Sequence, residues 1–247
     1  MSVLRFYCQT ITEPLTELEA AEAHHLSKVL RLRAGDTVEL FDGNGKVAVA
    51  SIKELGRHSV TLAVGRVEVL PRPFEKQIAI AASLAKGERF DWLITRCTEL
   101  GVDRIVPVLF ERTVKLAANP RAVERWKNLS IAAAKQCGRV YLPKIDTPLP
   151  LPKVLEFIGT EHPGAELFFG SLSENAAHIV DRQFGSADIA AIVGPEGGMT
   201  GDEESLLRRY DAKAVRITDT ILRIETAAIA FATILTAKRY AGKDKHA

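Results

Sequence analysis

The sequence predicts an α/β protein in which a small β-rich module precedes a larger domain built around a parallel sheet. Short alternating apolar runs dominate the first seventy residues, whereas apolar runs alternate with helical patterns after about residue 77. Pro71-Arg72-Pro73 lies between the two patterns, and proline interrupts both helix and sheet because it fixes φ and lacks a backbone donor. We therefore expect two domains, 1–72 and 73–247.

The N-terminal module is predicted to contain several short strands and one helix, Ala21–Leu30. Asp42-Gly43-Asn44-Gly45 separates two of the strands, and Asn-Gly is a strong hairpin signal. Gly43–Ala48 also fits the dinucleotide pattern G-x-G-x-x-A, but that pattern must open a helix and here a strand follows, so the hairpin is favoured. Such a set is typical of a compact, barrel-like module. The predicted strands are Val3–Tyr7, Thr37–Phe41, Val47–Ile52 and Ser59–Val69.

The second domain is predicted to alternate strands and helices, which is typical of a parallel sheet with helices on both faces. Its last helix, about Arg223–Tyr240, is apolar around most of the circumference of its first half, so we expect it to be covered on all sides. Small residues there would allow close packing, and we expect a homodimer. The other predicted elements are the strands Gln77–Ala82, Arg104–Leu109, Glu166–Phe169, Ile189–Val193 and Ala214–Ile217, and the helices Glu88–Leu100 and Arg121–Cys137.

The composition is that of a soluble globular protein, with 47% apolar and 26% charged residues among 247. No apolar run is long enough to cross a bilayer and the N-terminus lacks a signal-peptide core, so we expect a cytoplasmic protein with no membrane partner. Cys8, Cys97 and Cys137 lie far apart, which disfavours a disulfide framework or a zinc knuckle and predicts buried core residues. The formal net charge of +2 does not by itself indicate a nucleic-acid partner.

The strongest functional signal is a glycine-rich loop, Gly194-Pro195-Glu196-Gly197-Gly198, which follows an apolar strand. Glycines allow backbone shapes closed to other residues and close approach of a ligand to the main chain. Thr200 and Glu203 form a capping-box pattern for a following helix. Because ligands bind outside the carboxyl ends of parallel strands, the loop predicts a ligand site. The Glu196 carboxylate favours a cationic or amine-bearing ligand over a phosphate.

A second segment, Ile217–Ala227, also reads as a strand end, a loop and a helix start. Arg223 and Glu225 are placed in the first helical turn. Glutamate there suits the helix dipole, whereas arginine does not, so Arg223 is the more suggestive of a functional role. Glu225 is as well explained by helix capping as by function.

Gly194–Gly198 followed by Ile221–Ala227 resembles the RsmE family of SPOUT-class methyltransferases, which modify N3 of a uridine in 16S ribosomal RNA. The resemblance extends over nearly the whole chain. Two departures occur: the family usually has Leu-Gly and then an arginine ahead of Ile-Leu-Arg, where this chain has Ile217-Thr218 and Thr220, and Arg96 stands where lysine is usual. The further matching motifs are His24-His25-Leu26, Val29–Asp36, Thr98–Val102, Glu111-Arg112-Thr113, and Gln136 with Arg139.

The resemblance implies a PUA-like β-barrel domain, a SPOUT α/β domain with a deep trefoil knot, and a dimer. It also implies S-adenosyl-L-methionine bound within the knot loops. Because the methyl group of this donor is already activated, we expect no metal. The cofactor-binding residues expected by position are Phe169, Gly170, Ser171, Leu172, Gly194, Pro195, Glu196, Gly197, Gly198, Ile217, Ile221 and Leu222.

Methyl transfer to N3 of uracil requires loss of the N3 proton, so a nearby cation would stabilise the developing anion. Arg223 is the candidate for this catalytic role, and Glu225 could orient it. N3 lies on the pairing edge of the base, so the target uridine must be unpaired or extruded.

The RNA is expected to be held mainly through its phosphates and shape. His24, Lys28 and Arg31 would share one helix face by their i, i+4, i+7 spacing. By the same resemblance, residues of the catalytic domain could extend this track. The complete predicted RNA-binding set is Arg5, His24, Lys28, Arg31, Arg33, Arg112, Gln136 and Arg139.

Two alternatives remain open at this point. One is a SPOUT methyltransferase that acts on tRNA, or on ribose rather than a base. The other is a non-catalytic RNA-binding ribosome assembly factor that keeps the fold without turnover, which the departures at Ile217–Thr220 make worth testing.

Overall fold

The computed structural model describes residues 4–113 and 120–243. The chain folds into two compact units. One comprises the chain up to Pro73 together with Ala134–Leu142, and the other comprises Phe74–Ala133 and the chain from Pro143 onward. The return of Ala134–Leu142 to the first unit has no counterpart in the sequence pattern, because the periodicity of a helix that ends at Cys137 does not show which unit its last turn joins.

The first unit is built on a five-stranded sheet in the order β1-β3-β4-β5-β2. β1 runs parallel to β3, and the other neighbours are antiparallel. The hairpin prediction at Asp42–Gly45 is confirmed: the Asp42 carboxylate accepts the amides of Asn44 and Lys46, and Gly43 and Gly45 adopt positive φ. Val3, the predicted start of the first strand, lies outside the described residues. The strands are β1 Arg5–Tyr7, β2 Leu15–Glu19, β3 Thr37–Phe41, β4 Lys46–Leu55 and β5 Ser59–Val69.

The helix of this unit is shorter and less regular than predicted. An α-helix α1, Ala20–His24, continues as a π-helical turn, His25–Val29, in which the Leu30 amide donates to the His25 carbonyl. Arg31 lies beyond the helix with φ +56°. The prediction that Arg31 shares an α-helical face with His24 and Lys28 is therefore wrong, because that spacing requires uninterrupted α-helical geometry.

The second unit contains an eight-stranded parallel sheet in the order β11-β13-β10-β12-β6-β7-β8, with β9 also paired to β7. The parallel sheet predicted from the strand–helix alternation is confirmed. Its strands are β6 Ile78–Ser83, β7 Arg104–Leu109, β8 Lys144–Ile145, β9 Leu149–Pro150, β10 Glu166–Gly170, β11 Ala177–His178, β12 Ile189–Val193 and β13 Lys213–Arg216. Its helices are α2 Glu88–Glu99, α3 Pro120–Cys137, whose last four residues belong to the first unit, α4 Leu151–Glu161, α5 Gly201–Arg209 and α6 Ile224–Lys243.

Successive side chains of the central strands pack into two different hydrophobic cores, because side chains point alternately to opposite faces of a sheet. Ile78 and Ile80 of β6 pack with residues of α2 and α6. Ala79 and Ala81 pack with residues of α4 and α5 on the opposite face. All residues of β6 and β12 are buried, as expected for strands covered on both faces.

Helix α6 begins at Ile224, so Arg223 immediately precedes the helix rather than lying in its first turn. Ile224, Ala228 and Phe231 are fully or almost fully buried in the core of its own unit. Ile229 and Ala230 remain half-buried. The fold of the unit therefore covers one side of the helix and leaves the other partly open.

Residues 4–113 and 120–243 contain no helix whose length and apolar composition would allow it to span a membrane.

Candidate functional site

A cavity of about 370 Å³ lies where β10, β12 and β13 end. These three strands are neighbours and parallel, so their carboxyl ends meet at one edge of the sheet. The volume falls in the usual range for small-molecule sites. Three loops line it, one from each strand end, together with one face of α6. The lining residues are Gly170, Ser171, Leu172, Val193, Gly194, Pro195, Glu196, Gly197, Gly198, Met199, Glu204, Val215, Arg216, Ile217, Thr218, Thr220, Ile221, Leu222, Ala227 and Phe231.

The loop after β12 is a tight turn joined directly to a capped helix. The Gly198 amide donates to the Pro195 carbonyl at 2.9 Å, and Gly198 has φ +73°, a conformation that favours glycine. The predicted capping box is confirmed: the Glu203 amide donates to Thr200 Oγ1 at 3.3 Å, and the Thr200 amide donates to Glu203 Oε2 at 2.8 Å. Both ends of the loop are thus fixed by hydrogen bonds.

Two arginines hold the same loop from neighbouring elements. Arg89 of α2 pairs with Glu196, with Nη1 and Oε1 separated by 2.6 Å. Arg112, which follows β7, donates from Nη1 to the Gly197 carbonyl at 2.8 Å. Glu196 therefore already has a cationic partner within the protein, and a cationic ligand at Glu196 would compete with Arg89. The Arg112 side chain, predicted to touch RNA, lies against the loop instead, although the residue remains exposed.

The loop after β13 is held more weakly. Arg216 pairs with Asp219 at 3.1 Å, and the hydroxyls of Thr218 and Thr220 lie 3.3 Å apart. Ile221 is 75% exposed although it lines the cavity. Arg223 is exposed directly after this loop, and within the described part of the chain its side chain has no ion-pair or hydrogen-bond partner.

Glu225 is 5% exposed at the start of α6, and its Oε2 atom is buried without a hydrogen-bond partner. A carboxylate in the first helical turn interacts favourably with the helix dipole. A buried oxygen without a partner nevertheless has a desolvation cost, and such groups are unusual in native structures. No ion pair joins Glu225 to Arg223 among the residues that the structure describes, so the orienting contact predicted between them is not formed.

The structure brings together every predicted cofactor-binding residue except Phe169. The Phe169 side chain packs into the core on the face that carries α4 and α5. Gly170, the next residue, is close to Phe231, which lines the cavity. Sequence position identified the right loop, but the alternation of side chains along β10 directs Phe169 away.

Several lining residues were missed by the sequence analysis. Phe231 follows Ala227 by four residues, so helical spacing could have placed both on the face that meets the cavity. Met199 extends the glycine-rich loop by one residue. Apart from its position in the first turn of α5, no sequence feature identified Glu204 as a residue of the cavity lining. The remaining missed residues are Val193, Val215, Arg216, Thr218 and Thr220.

The predicted RNA-binding residues of the first unit have different surroundings. Arg5 is engaged in an ion pair with Glu39 and lies over the ring of Phe41. His24 and Lys28 are exposed and line a second cavity, within the first unit. Arg31 and Arg33 are exposed. Gln136 and Arg139, assigned from sequence to the catalytic domain, lie in Ala134–Leu142 and so belong to the first unit.

The cysteines are partly as predicted. Cys8 and Cys97 are buried, whereas Cys137 is exposed, which corrects the expectation that all three are core residues. Burial raises the pKa of the Cys97 thiol to about 12, so it remains protonated and unreactive at neutral pH. Within residues 4–113 and 120–243, no group of three or more His, Cys, Asp or Glu side chains is arranged to hold a metal ion.

Comparison with known families and structures assigns both units. The family model for an RNA methyltransferase domain matches residues 72–236, and that for an RNA methyltransferase PUA domain matches residues 18–65. The ribosomal RNA small subunit methyltransferase E of Synechocystis sp. is 33% identical over 222 residues, which cover 89% of this chain and 72% of that protein. This chain belongs to the RsmE family.

Solved structures of similar proteins agree with the RsmE assignment. The ribosomal RNA small subunit methyltransferase E of Neisseria gonorrhoeae, crystallised with S-adenosyl methionine, matches with a TM-score of 0.85 and 28% identity over 96% of this chain and 98% of that one. A methyltransferase from Legionella pneumophila, also in complex with this cofactor, matches with a TM-score of 0.87, 28% identity and the same coverage. The segments that resemble RsmE in sequence, Gly194–Gly198 and Ile221–Ala227, both contribute residues to the cavity.

Proposed function

We propose that the protein transfers a methyl group from S-adenosyl-L-methionine to N3 of a uridine in 16S ribosomal RNA of the small subunit. The observation that carries the proposal is the cavity at the ends of β10, β12 and β13, formed by the two motifs through which the chain resembles RsmE. The relatives named for methylation of small-subunit RNA, and the neighbours solved with the cofactor, support the same reaction.

The cavity suits a nucleoside-type cofactor. Leu172, Ile217 and Phe231 provide apolar contact for a flat heterocycle. Gly170, Gly194 and Gly197 leave the main chain open to hydrogen bonds along the walls. Both acidic lining groups have a cationic partner, but the pair of Glu204 with Arg208, at 3.5 Å, is longer than the 2.6 Å pair of Glu196 with Arg89, so the Glu204 carboxylate better suits the amino group of the cofactor. The cofactor-binding set proposed is the predicted one without the Phe169 side chain.

S-adenosyl-L-methionine supplies, when bound, a methyl group already activated by the sulfonium, so the protein must mainly align the acceptor. We assign to Arg223 the stabilisation of negative charge on the uracil ring as N3 loses its proton. Its exposed side chain without a partner in the described chain supports this role, because it is available to an incoming base. Glu225, with its buried and unpartnered oxygen, is proposed to act with Arg223 when the site is filled.

The RNA is proposed to reach the site with the target uridine extruded, and to be held by basic and polar residues. His24, Lys28, Arg31 and Arg33 support this because their side chains are exposed. Arg5 is proposed only as a positioning residue, since its guanidinium is already paired with Glu39. Gln136 and Arg139 would act as part of the first unit, and Arg112 through the glycine-rich loop that it contacts.

The domain boundary is proposed between residues 72 and 73, with Ala134–Leu142 completing the first domain. We also propose that the second domain carries the deep trefoil knot implied by the family. The strand order β13-β10-β12-β6 supports this. β13, the last strand in sequence, lies on the outer side of the earlier strands β10 and β12, and α6 then packs on the sheet face that carries α2. Tracing the chain through an experimental density map tests the knot.

A homodimer is proposed as well, with a second copy covering the open side of α6. Thr226, Thr233 and Ala237 are exposed and Ala230 is half-buried along that side, and such small residues allow close helix packing. An enzyme that modifies ribosomal RNA works where ribosomes assemble, so we propose a cytoplasmic location.

Methylation assays with radiolabelled cofactor test the function. Purified 16S RNA, small subunits and tRNA are compared as acceptors, and the modified nucleoside is identified by mass spectrometry. We expect 3-methyluridine in 16S RNA or in small subunits. Labelled tRNA or a ribose-methylated product would favour a methyltransferase that acts on tRNA or on ribose rather than on a base of 16S RNA. Calorimetric binding of the cofactor without transfer to any acceptor would favour an assembly factor.

A further inference from the structure

The second cavity, of about 490 Å³, lies entirely within the first unit and contains residues that no RsmE-like motif includes. One wall comes from α1 and the π-helical turn, through Ala23, His24, Ser27 and Lys28. The other comes from the turn that joins β4 to β5, where the Gly56 amide donates to the Ser59 carbonyl at 2.9 Å. Antiparallel pairing of Glu19 with Ser59 brings this turn beside the start of α1.

The turn contributes Arg57 and His58 to the cavity, so four basic or imidazole side chains, with His24 and Lys28, converge from two separate elements. All four residues are exposed. Glu17 is the acidic residue in the lining. The cavity wall therefore carries more positive than negative charge at neutral pH.

Two other basic groups of the same unit are held in ion pairs. Arg5 is paired with Glu39, and Lys135 is paired with Glu22, with Nζ and Oε2 separated by 2.8 Å. By contrast, neither Lys28 nor Arg57 has an ion-pair partner in the part of the chain that the structure describes. Lys28 and Arg57 carry like charges on two walls of one cavity, and an anion between them would reduce their repulsion.

We propose that this cavity is a binding site for the phosphodiester backbone of the RNA substrate, with Arg57 and His58 as contacts additional to His24 and Lys28. The guanidinium of Arg57 can bind a phosphate through two parallel hydrogen bonds, and Lys28 provides a point charge from the opposite wall. The cavity exceeds the size of one phosphate and leaves room for the attached sugars. The inference rests on the proposed function, because it takes RNA as the partner.

The π-helical turn gives the site its shape. A π-turn widens the helix by one residue and is frequent at functional sites. Here it lies between His24 and Leu30, and both His24 and Lys28 line the same cavity. The nearby turn of Gly56, Arg57 and His58 contributes no buried apolar side chain, so the packing of the unit does not require Arg57 or His58.

The test compares Arg57→Ala and Lys28→Ala with Arg66→Ala in the full-length protein. Arg66 is an exposed arginine of β5 that does not line the cavity, so it controls for the loss of one positive charge. Binding of a fluorescent 16S RNA fragment is measured by anisotropy over a range of salt concentrations. For each cavity variant we expect weaker binding and a slope of log K against log salt that is smaller by about one. We expect cofactor affinity and thermal stability to remain those of the unchanged protein.

The outcomes separate the site from the function. A slope for Arg57→Ala equal to that of the unchanged protein, or an equal loss in Arg66→Ala, overturns the cavity assignment. If the cavity assignment is overturned in this way but the protein still methylates 16S RNA, the proposed function is unaffected. If the protein transfers no methyl group but the cavity variants still reduce the salt dependence of RNA binding, the RNA site is supported and the proposed reaction is not. Tight binding of an acidic peptide that RNA cannot displace identifies a protein partner and also overturns the assignment.

Discussion

The two loops that follow β12 and β13 line the same cavity but are held very differently. The loop Gly194–Thr200 has an internal turn, a capping box and contacts from Arg89 and Arg112. The loop Ile217–Arg223 has one ion pair, between its Asp219 and the preceding Arg216, and a contact between two threonines, and it leaves Ile221 largely exposed.

This difference separates two tasks. A preorganised loop lowers the entropic cost of binding a ligand, which suits a permanent cofactor wall. A loosely held loop can change shape when a second substrate arrives, which suits the residue that meets the RNA base. We therefore assign cofactor recognition mainly to the first loop and chemistry to the second.

Replacement of Arg223 tests the second half of this assignment. Arg223→Ala is expected to reduce kcat by about 10²–10³ with little change in cofactor affinity, because the lost cation acts only when charge develops on the base. Single-turnover methylation measures the rate, and calorimetry measures cofactor binding. Arg209→Ala, an exposed arginine at the end of α5, is the control. A kcat within twofold of the unchanged protein would remove Arg223 from the reaction.

A β-branched residue in place of Gly198 tests the assignment of cofactor recognition to the loop Gly194–Thr200. Gly198→Val would place valine at φ +73°, and such strain costs about 1–3 kcal/mol, so we expect cofactor affinity to fall by roughly tenfold or more. Gly201→Ala is the matched control, because Gly201 does not line the cavity and a Cβ there would meet no atom within 4 Å. Equal affinities for the two variants would contradict the proposed shape of the loop.

Removal of the helix cap compares the stability of the two loops directly. Thr200→Ala eliminates the hydroxyl that accepts the Glu203 amide and should lower the free energy of unfolding by about 1 kcal/mol. Thr218→Ala removes a contact between exposed hydroxyls and should change it by less than about 0.5 kcal/mol. Urea denaturation of both variants measures the two values. The comparison fails if Thr218→Ala is the more damaging change.

The Arg89–Glu196 pair is expected to have the smallest effect. Its side chains are 39% and 42% exposed, so a double-mutant cycle with Arg89→Ala and Glu196→Ala should give a coupling of about 0.2–1 kcal/mol. The coupling should decrease as salt is added, because exposed charges are screened. A coupling well above this range, or one that salt does not change, would show that the loop is held by a buried interaction instead.

The sequence by itself determined most of the longer elements and the motifs, although it did not predict the strand β2, Leu15–Glu19. The hairpin at Asp42–Gly45, the capping box at Thr200 and the parallel sheet follow from local patterns, since turn residues, caps and apolar periodicity act over a few neighbouring positions. The position of the glycine-rich loop after a buried strand was sufficient to predict a ligand site there.

Only the tertiary structure decided which side chains meet. The pairing of Glu196 with Arg89, the direction of Phe169 away from the cavity, and the convergence of Lys28 with Arg57 depend on contacts between residues far apart in sequence. The π-helical turn that removes Arg31 from the helix face gives no periodic signal of its own. Local propensity fixes the backbone of each element, but the partner of a charged side chain depends on how separate elements pack, and no single segment encodes that arrangement.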